Sequence, residues 1–435
     1  MENIILKITN ILKSRFFKFG SIVLVGSFLV SILNYVFNLT MGRMMESAEF
    51  GEVASLMGLA MIVGVPSASL NRLMSKYSAH FKEKGQYRLI SQLFSLVSKY
   101  GFQLGLLAII IFLIFTPVLI WFLRIDILPL VIYSLIFPLS LLSSINVGAL
   151  QGLHQFVYSS FTTFLNTFLK LFLSILFVWM GFSVAGVMAA LVIGSFVSYL
   201  YSLRLIRPRI HRQQITEEVS EQINTKEVIS YAKAVFWTSL WLVLLTNVDI
   251  VLAKHYLSAY LAGQYAVLSL TGKIIFYGSG AFLTVMFPMV SSSLSSGDGK
   301  CKDILKIAFL LNGVIAGGIL ILFLFFPTLS VKLLFGAKYL TVTPFLVWYS
   351  LAMFCCAFSQ VFITYFMATH TKNYLTSLAT AIFLQIILII FFHANLLQIT
   401  LSVLISNSLL LILMILVYIK NNHRQKQESV VAVNI

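Results

Sequence analysis

The chain has 435 residues, of which 59% are hydrophobic and 10% charged, with a mean hydropathy of +0.96. That balance excludes a water-soluble domain with a single apolar core and makes lipid the main solvent. A formal charge of +16 would suit nucleic acid, but the basic residues lie between and beside apolar runs rather than on an aromatic-interleaved soluble face, so they read as membrane topology.

The first stretch, "MENIILKITNILKSRFFKFG", is amphipathic with four cations and reads as a helix resting on the inner membrane face. Apolar runs of the ~18–25 residues that a helix needs to cross ~30 Å of hydrocarbon then recur along the chain. They fall near 19–40, 52–70, 100–123, 128–147, 157–180, 183–203, 234–253, 262–290, 305–326, 344–368, 374–392 and 396–419, which gives twelve spans. Helices are required because open strands would leave backbone groups unpaired in lipid, and no short alternating barrel pattern is present. Pro66, Pro138 and Pro288 fall within these runs and are expected to kink them, while the Gly313 to Gly317 spacing on span nine is expected to mark close helix packing.

Alternate connections test the count, since Lys and Arg collect on the cytoplasmic side. Twenty-one of the 30 Lys and Arg residues fall on one side, against five on the other: Arg43, Arg124, Lys254, Lys332 and Lys338. Both termini are therefore expected in the cytoplasm. The longest polar connection, 204–230, mixes both charge signs and divides the spans six and six. The domains follow as an N-terminal lobe, 1–203, a cytoplasmic linker, 204–230, a C-terminal lobe, 231–419, and a tail, 420–435. A faint internal echo links "GRMMESAEFGEVASL" (42–56) with "AKHYLSAYLAGQYAVLSL" (253–270): each has a basic residue, Ser-Ala, then a glycine opening the next span. Halves of six spans share orientation and are related by an axis along the membrane normal.

Charged residues inside the spans are the chemical signal. Lys170 and Lys273 each lie about eleven residues from the nearer span end, on the order of 16 Å deep at 1.5 Å per residue. Snorkelling does not cover that distance, so each ammonium needs a partner or water. Asp249 is the one carboxylate clearly within a span. Two readings of Lys273 stand: a salt bridge to Asp249 that joins spans seven and eight, or a phosphate contact in an aqueous lumen. For Lys170 they are a hydrogen bond to Asn166 with neighbouring carbonyls, or the same anion site. Two cations against one carboxylate bias such a lumen toward an anionic head group such as pyrophosphate. Asn34 and Asn38, one turn apart on span one, either bond sugar hydroxyls or join packed helices. Cys301, Cys355 and Cys356 lack metal-ligand spacing, so no metal site, disulfide framework or cofactor is expected. No phosphate loop, nucleophile triad or paired-carboxylate site is present, and the outer loops are short and acid-poor, which argues against an enzyme.

The segments "NVDIVLAKHYLSAYLAGQYAVLSLTGKIIFY" (247–277), "GRMMESAEFGEVASL" and "GALQGLHQF" (148–156) together resemble the bacterial polysaccharide transporter family. These are flippases for lipid-linked O-antigen (lipopolysaccharide), capsule or exopolysaccharide units, within the multidrug, oligosaccharidyl-lipid and polysaccharide flippase superfamily. The resemblance implies an all-α protein of the bacterial inner membrane, with two six-helix lobes around a central cavity that alternates between inward- and outward-open forms. It implies a polyprenyl-pyrophosphate-linked oligosaccharide as substrate, membrane lipids as surroundings, and a polysaccharide polymerase or other export component as a further partner. Lys273 matches the basic eighth-span residue of related flippases. An ion-coupled multidrug exporter, for which Asp249 is the one coupling candidate, and a peptidoglycan-precursor (lipid II) flippase are the alternatives.

Overall fold

A computed structural model describes residues 15–211, 225–280, 283–296, 301–369, 371 and 373–433. The amphipathic start of the chain and most of the expected linker therefore lie outside the described residues. In chain order the helices are α1 (Arg15–Met44), α2 (Ser47–Val63), α3 (Val65–Glu83), α4 (Tyr87–Leu123), α5 (Ile127–Ser134), α6 (Ile136–Gly152), α7 (Phe156–Trp179) and α8 (Ser183–His211). They continue as α9 (Thr225–Tyr256), α10 (Ala259–Gly280), α11 (Leu283–Ser296), α12 (Cys301–Phe325), α13 (Pro327–Leu334), α14 (Thr343–Ala368), α15 (Tyr374–Phe391) and α16 (Leu396–Val433). A 3₁₀ turn, Ala337–Val342, precedes α14. No strand occurs among the described residues.

By length and composition, eight helical stretches among the described residues are apolar enough to cross a membrane, or nine with the bent pair α2–α3. The chain is thus a multi-pass membrane protein. The other expected spans, one, seven and eight (drawn as 262–290), fall on α1, α9 and α10, helices of 30, 32 and 22 residues that are not among these stretches, so the structure supports eight or nine crossings among the described residues rather than twelve. α10 is long enough for the crossing, but Gln264, Ser269, Thr271 and Lys273 dilute its apolarity.

Three spans differ in outline from the expectation. Span two, drawn as 52–70, is broken at Gly64 with a bend of 42°, and Pro66 sits in the first turn of α3, where its missing N–H costs no helical bond. Span three begins thirteen residues early, because polar Tyr87–Tyr100 continues the same 37-residue helix. Span four is cut between α5 and α6: Pro138 cannot donate to the Ser134 carbonyl, and the helix interrupts at Leu135.

The chain folds into two compact units, one holding the residues up to Met45 with Ala60–Leu240, the other Glu46–Leu59 with Trp241 onward. In the first, α6 lies against α3 through the glycines of "GALQG". A Cβ on Gly148 would sit 2.4 Å from the Asn71 carbonyl oxygen, and one on Gly152 2.5 Å from Ser78 Cβ. The Asn71 amide then donates to the Ser144 carbonyl at 3.1 Å, a bond that depends on that approach. Leu73, Met74, Leu93, Ile145 and Leu150 close the same seam. Gly148→Leu should therefore lower the amount of folded protein in membranes, read by fluorescence-detected size exclusion. Beyond α6, burial and the nearby Lys82 pull the His154 imidazole below its ordinary value, against an opposing pull from Glu83.

In the second unit α14 is central, packed by α10, α12 and α16. One expectation fails here. Gly313 meets only the tip of Phe358, at 3.8 Å from a built Cβ, and Gly317 meets nothing within 4 Å. The spacing on α12 is therefore no packing seam within this unit: it lies at the surface, between exposed Leu310, Val314 and Ile321.

Candidate functional site

The polar side chains that the sequence singles out within its apolar runs fall in two clusters. In the second unit, α10 buries Tyr265, Ser269 and Lys273, spaced by four residues and hence on one face. That face meets Asp249 of α9 and Tyr349 of α14. The Tyr349 hydroxyl donates to Asp249 Oδ2 at 2.6 Å and the Tyr265 hydroxyl at 3.0 Å. Ser269 Oγ lies 2.7 Å from the Tyr349 hydroxyl and 3.4 Å from the same carboxylate oxygen. Lys273 Nζ stands 3.7 Å from the other oxygen, Oδ1, with side-chain exposures of 3% for Lys273 and 1% for Asp249. The pair is sealed from solvent. Tyr349 reaches the carboxylate because residue 272 has no side chain: a Cβ there would lie 2.4 Å from Tyr349 Cδ1.

The arrangement is unequal. Asp249 Oδ2 is well supplied with hydroxyl donors, whereas Asp249 Oδ1 and Lys273 Nζ face each other with no hydrogen bond to any group. The carboxylate would keep most of its support without the lysine, while the ammonium has the carboxylate as its one ion-pair partner among the described residues.

In the first unit, Lys170 of α7 reaches α1. Its ammonium hydrogen-bonds Asn34 Oδ1 and lies 4.4 Å from the centre of the Phe37 ring, a cation–π contact. Lys170 is half-buried, and no carboxylate lies within ion-pair distance of it among the described residues. The expected partner, Asn166, turns instead to Ser195 Oγ at 3.4 Å. Asn34 Nδ2 donates to the Val30 carbonyl at 3.0 Å and Asn38 Nδ2 to the Asn34 carbonyl at 2.9 Å, so both amide N–H groups are already used along α1. The structure thus joins Lys170 with Asn34 and Lys273 with Asp249, within separate units.

The sequence pattern of the family described as "Polysaccharide biosynthesis protein" matches residues 17–294, well over half of the chain. The chain belongs to that family. No curated protein matches the sequence. Among solved structures, the chain resembles the inward-facing conformation of a multidrug resistance MATE family transporter of the MOP superfamily, with TM-score 0.74, 12% identity, and 91% of this chain and 96% of the other covered. It also resembles the lipid II flippase MurJ in an inward closed conformation, at TM-score 0.68 and 14% identity over 90% of this chain and 86% of that one. A MOP superfamily transporter from Pyrococcus furiosus, described as having a binding pocket of reversed polarity, aligns at TM-score 0.60 and 15% identity over 93% of each chain. At these identities the likeness shows a shared fold.

Two features of this family member had no notice in its sequence reading. The hydroxyls around Asp249 are one: the Tyr265–Ser269–Lys273 spacing is a readable signal, but Tyr349 lies eighty residues beyond Ser269 and is tied in by its packing on Gly272 and its contacts with Asp249 and Ser269. The other is Lys254, counted with an outer connection, which is 2% exposed and paired with Glu52 of α2 at 3.5 Å.

Proposed function

We propose that the protein is a flippase that moves a polyprenyl-pyrophosphate-linked oligosaccharide, the repeat unit of a surface polysaccharide, from the cytoplasmic to the outer leaflet by alternating access. The observation that carries this reading is Lys170. It sits roughly nine residues, about 14 Å, from the nearer end of α7, and among the described residues its charge is met by a neutral amide oxygen and an aromatic face. A half-buried cation at such depth, with no counter-charge beside it among the described residues, marks a site that takes an anion or lines water. A lipid-linked phosphate supplies that anion, and family membership supplies the pathway. A point charge suits a phosphate that passes through, whereas a guanidinium fork would hold it more specifically.

In this reading the anion contact is Lys170, with Asn34 orienting it and Asn38 holding the Asn34 backbone turn. Lys273 was an equal candidate on depth alone, but its charge is balanced by Asp249 and its side chain is sealed. The same balance argues against a cation-exporting drug transporter, which would need an uncompensated carboxylate among its membrane helices.

Deletion of the gene should leave lipid-linked repeat units on the inner leaflet, identified by mass spectrometry of extracted lipids. Accumulation of lipid II instead would reassign the substrate, and no accumulating lipid-linked species would overturn the proposal. Lys170→Met should lower surface polysaccharide at least tenfold with membrane abundance unchanged, while Lys170→Arg keeps a larger share of export. Normal export by Lys170→Met removes the residue from the mechanism.

A further inference from the structure

The two lysines that stand inside apolar runs are met in opposite ways. Lys273 faces the Asp249 carboxylate at 3.7 Å, so its charge is balanced within its own unit. Lys170 meets two groups from α1, and both are uncharged: Asn34 Oδ1, which accepts a hydrogen bond from Nζ, and the Phe37 ring, whose centre lies 4.4 Å from Nζ. Residues 34 and 37 are three apart and so share a face of α1. Each is fixed in its place. The Asn34 amide donates to the Val30 carbonyl at 3.0 Å, which turns its oxygen to the lysine, and the Phe37 side chain is buried at 1% exposure. The helices that carry these groups are set as closely, since a Cβ on Gly26 of α1 would lie 2.8 Å from Ser160 Cβ of α7, and one on Gly194 of α8 would lie 3.3 Å from the Lys170 backbone nitrogen. Apart from Lys170, α6 and α7 carry no charged residue, and those of α1 and α8 lie toward the helix ends. An ammonium has three N–H donors. One goes to Asn34, and a ring face answers the charge without accepting a conventional hydrogen bond, so donors remain for an oxyanion at this half-buried side chain.

We propose, resting on the flippase reading above, that Asn34 and Phe37 form a neutral seat for Lys170: two positioning residues that hold the ammonium in one place without a counter-charge, so that its charge stays available to the pyrophosphate of a polyprenyl-linked substrate. The requirement is for an absence. Asn and Asp have the same shape, and a carboxylate at residue 34 would hold the ammonium at least as firmly as the amide does. It would also neutralise it, as Asp249 neutralises Lys273, and would set a negative charge against the incoming phosphate. Phe37 serves the same end, because an aromatic face attracts a cation while carrying no net charge.

The test measures binding of farnesyl pyrophosphate, a short polyprenyl pyrophosphate, to the full-length chain in detergent, alongside the unfolding midpoint without ligand. Asn34→Asp should weaken binding roughly tenfold or more while the midpoint holds or rises, because the new carboxylate pairs with Lys170. Phe37→Leu should weaken binding about three- to thirtyfold, the range of a cation–π contact, and Phe37→Tyr, which keeps the ring, should retain most of the affinity. Farnesol should not compete, and inorganic pyrophosphate should compete less well than the farnesyl ester because it has no tail. Wild-type affinity in Asn34→Asp overturns the neutral seat. So does a fall in the midpoint of that variant, which would mean that the carboxylate finds no partner in Lys170. Equal weakening by Phe37→Leu and Phe37→Tyr, or none by Phe37→Leu, removes the ring from the seat and overturns it as drawn. Competition by farnesol shows binding without the anion, and competition by inorganic pyrophosphate as strong as that of the farnesyl ester assigns the site to a free anion; either overturns the lipid-linked assignment. Wild-type protein that binds neither pyrophosphate overturns the flippase reading and the seat together, whereas wild-type binding that Asn34→Asp leaves intact overturns the seat alone.

Discussion

Gly263→Ala should leave almost no folded protein in the membrane fraction, although alanine is the better helix former by about 1 kcal/mol. A Cβ at residue 263 would lie 1.7 Å from the Ser47 carbonyl oxygen, a backbone atom that a rotamer change does not move. The partner is equally bare: a Cβ on Gly51 would come within 2.8 Å of the Gly263 nitrogen. The first turns of α2 and α10 therefore cross with their backbones touching. Around the crossing, Ser47 Oγ donates to the Tyr260 carbonyl at 3.1 Å, Gln264 Nε2 donates to the Lys338 carbonyl at 3.1 Å, and Thr341 Oγ1 donates to Gln264 Oε1 at 2.8 Å. Parting the helices enough for a methyl group lengthens the Ser47–Tyr260 bond and strains the Lys254–Glu52 pair that also holds α2. The cost exceeds the ~1–3 kcal/mol of an ordinary overpacked methylene. Gly317→Ala is the control. With nothing within 4 Å of a Cβ there, it should be neutral or stabilising by up to about 1 kcal/mol, read as an unchanged or higher unfolding midpoint. Equal behaviour of the two variants would show that the α2–α10 crossing is not a close contact.

This crossing also shows where the sequence was legible. "SAEFG" and the related run ending at Gly263 stood out as an internal echo, and each glycine proves to be the fifth residue of its helix. The echo was read as repetition; the structure adds that the two copies pack against each other, which no periodicity could announce. Helix existence was readable almost throughout, because runs of twenty apolar residues in lipid have no other satisfied backbone conformation. Breaks were less so. Pro66 and Pro138 were visible as kinks, but whether a proline ends a helix depends on the preceding turn, and Pro117 lies inside an unbroken α4. Glycine spacing was the weakest guide: "GALQG" and Gly313–Gly317 have the same spacing, yet one faces Asn71 and Ser78 and the other lies at the surface. The pattern states that a close approach is allowed, not that a neighbour is there. Depth singled out Lys170 and Lys273 correctly as groups needing partners. It did not rank them, because the partners that decide the matter, Asn34 for one and Asp249 for the other, lie on helices 136 and 24 positions away in the chain.

Asp249→Asn should be more damaging than Lys273→Met, and the two together less damaging than Asp249→Asn alone. Both residues are nearly inaccessible, so either single change leaves a charge of one sign in a low-dielectric interior, a situation that typically costs about 3–5 kcal/mol. The losses are unequal because the neighbours differ. After Lys273→Met the carboxylate still accepts from Tyr349 and Tyr265, and hydrogen bonds to an ionised acceptor are the stronger kind. After Asp249→Asn the ammonium has no opposite charge, and its flexible stem cannot carry it to water from the buried face of α10. Asn keeps an acceptor for the two tyrosines, and Met keeps the volume of the lysine stem, so the double variant restores neutrality without opening a cavity or orphaning a hydroxyl. Unfolding midpoints of the four proteins in one detergent should give a coupling of about 1–3 kcal/mol, the range for residues in direct contact. Losses that simply add in the double variant would mean the two charges do not sense each other across their 3.7 Å gap, and the reading of a sealed, coupled pair would have to be abandoned.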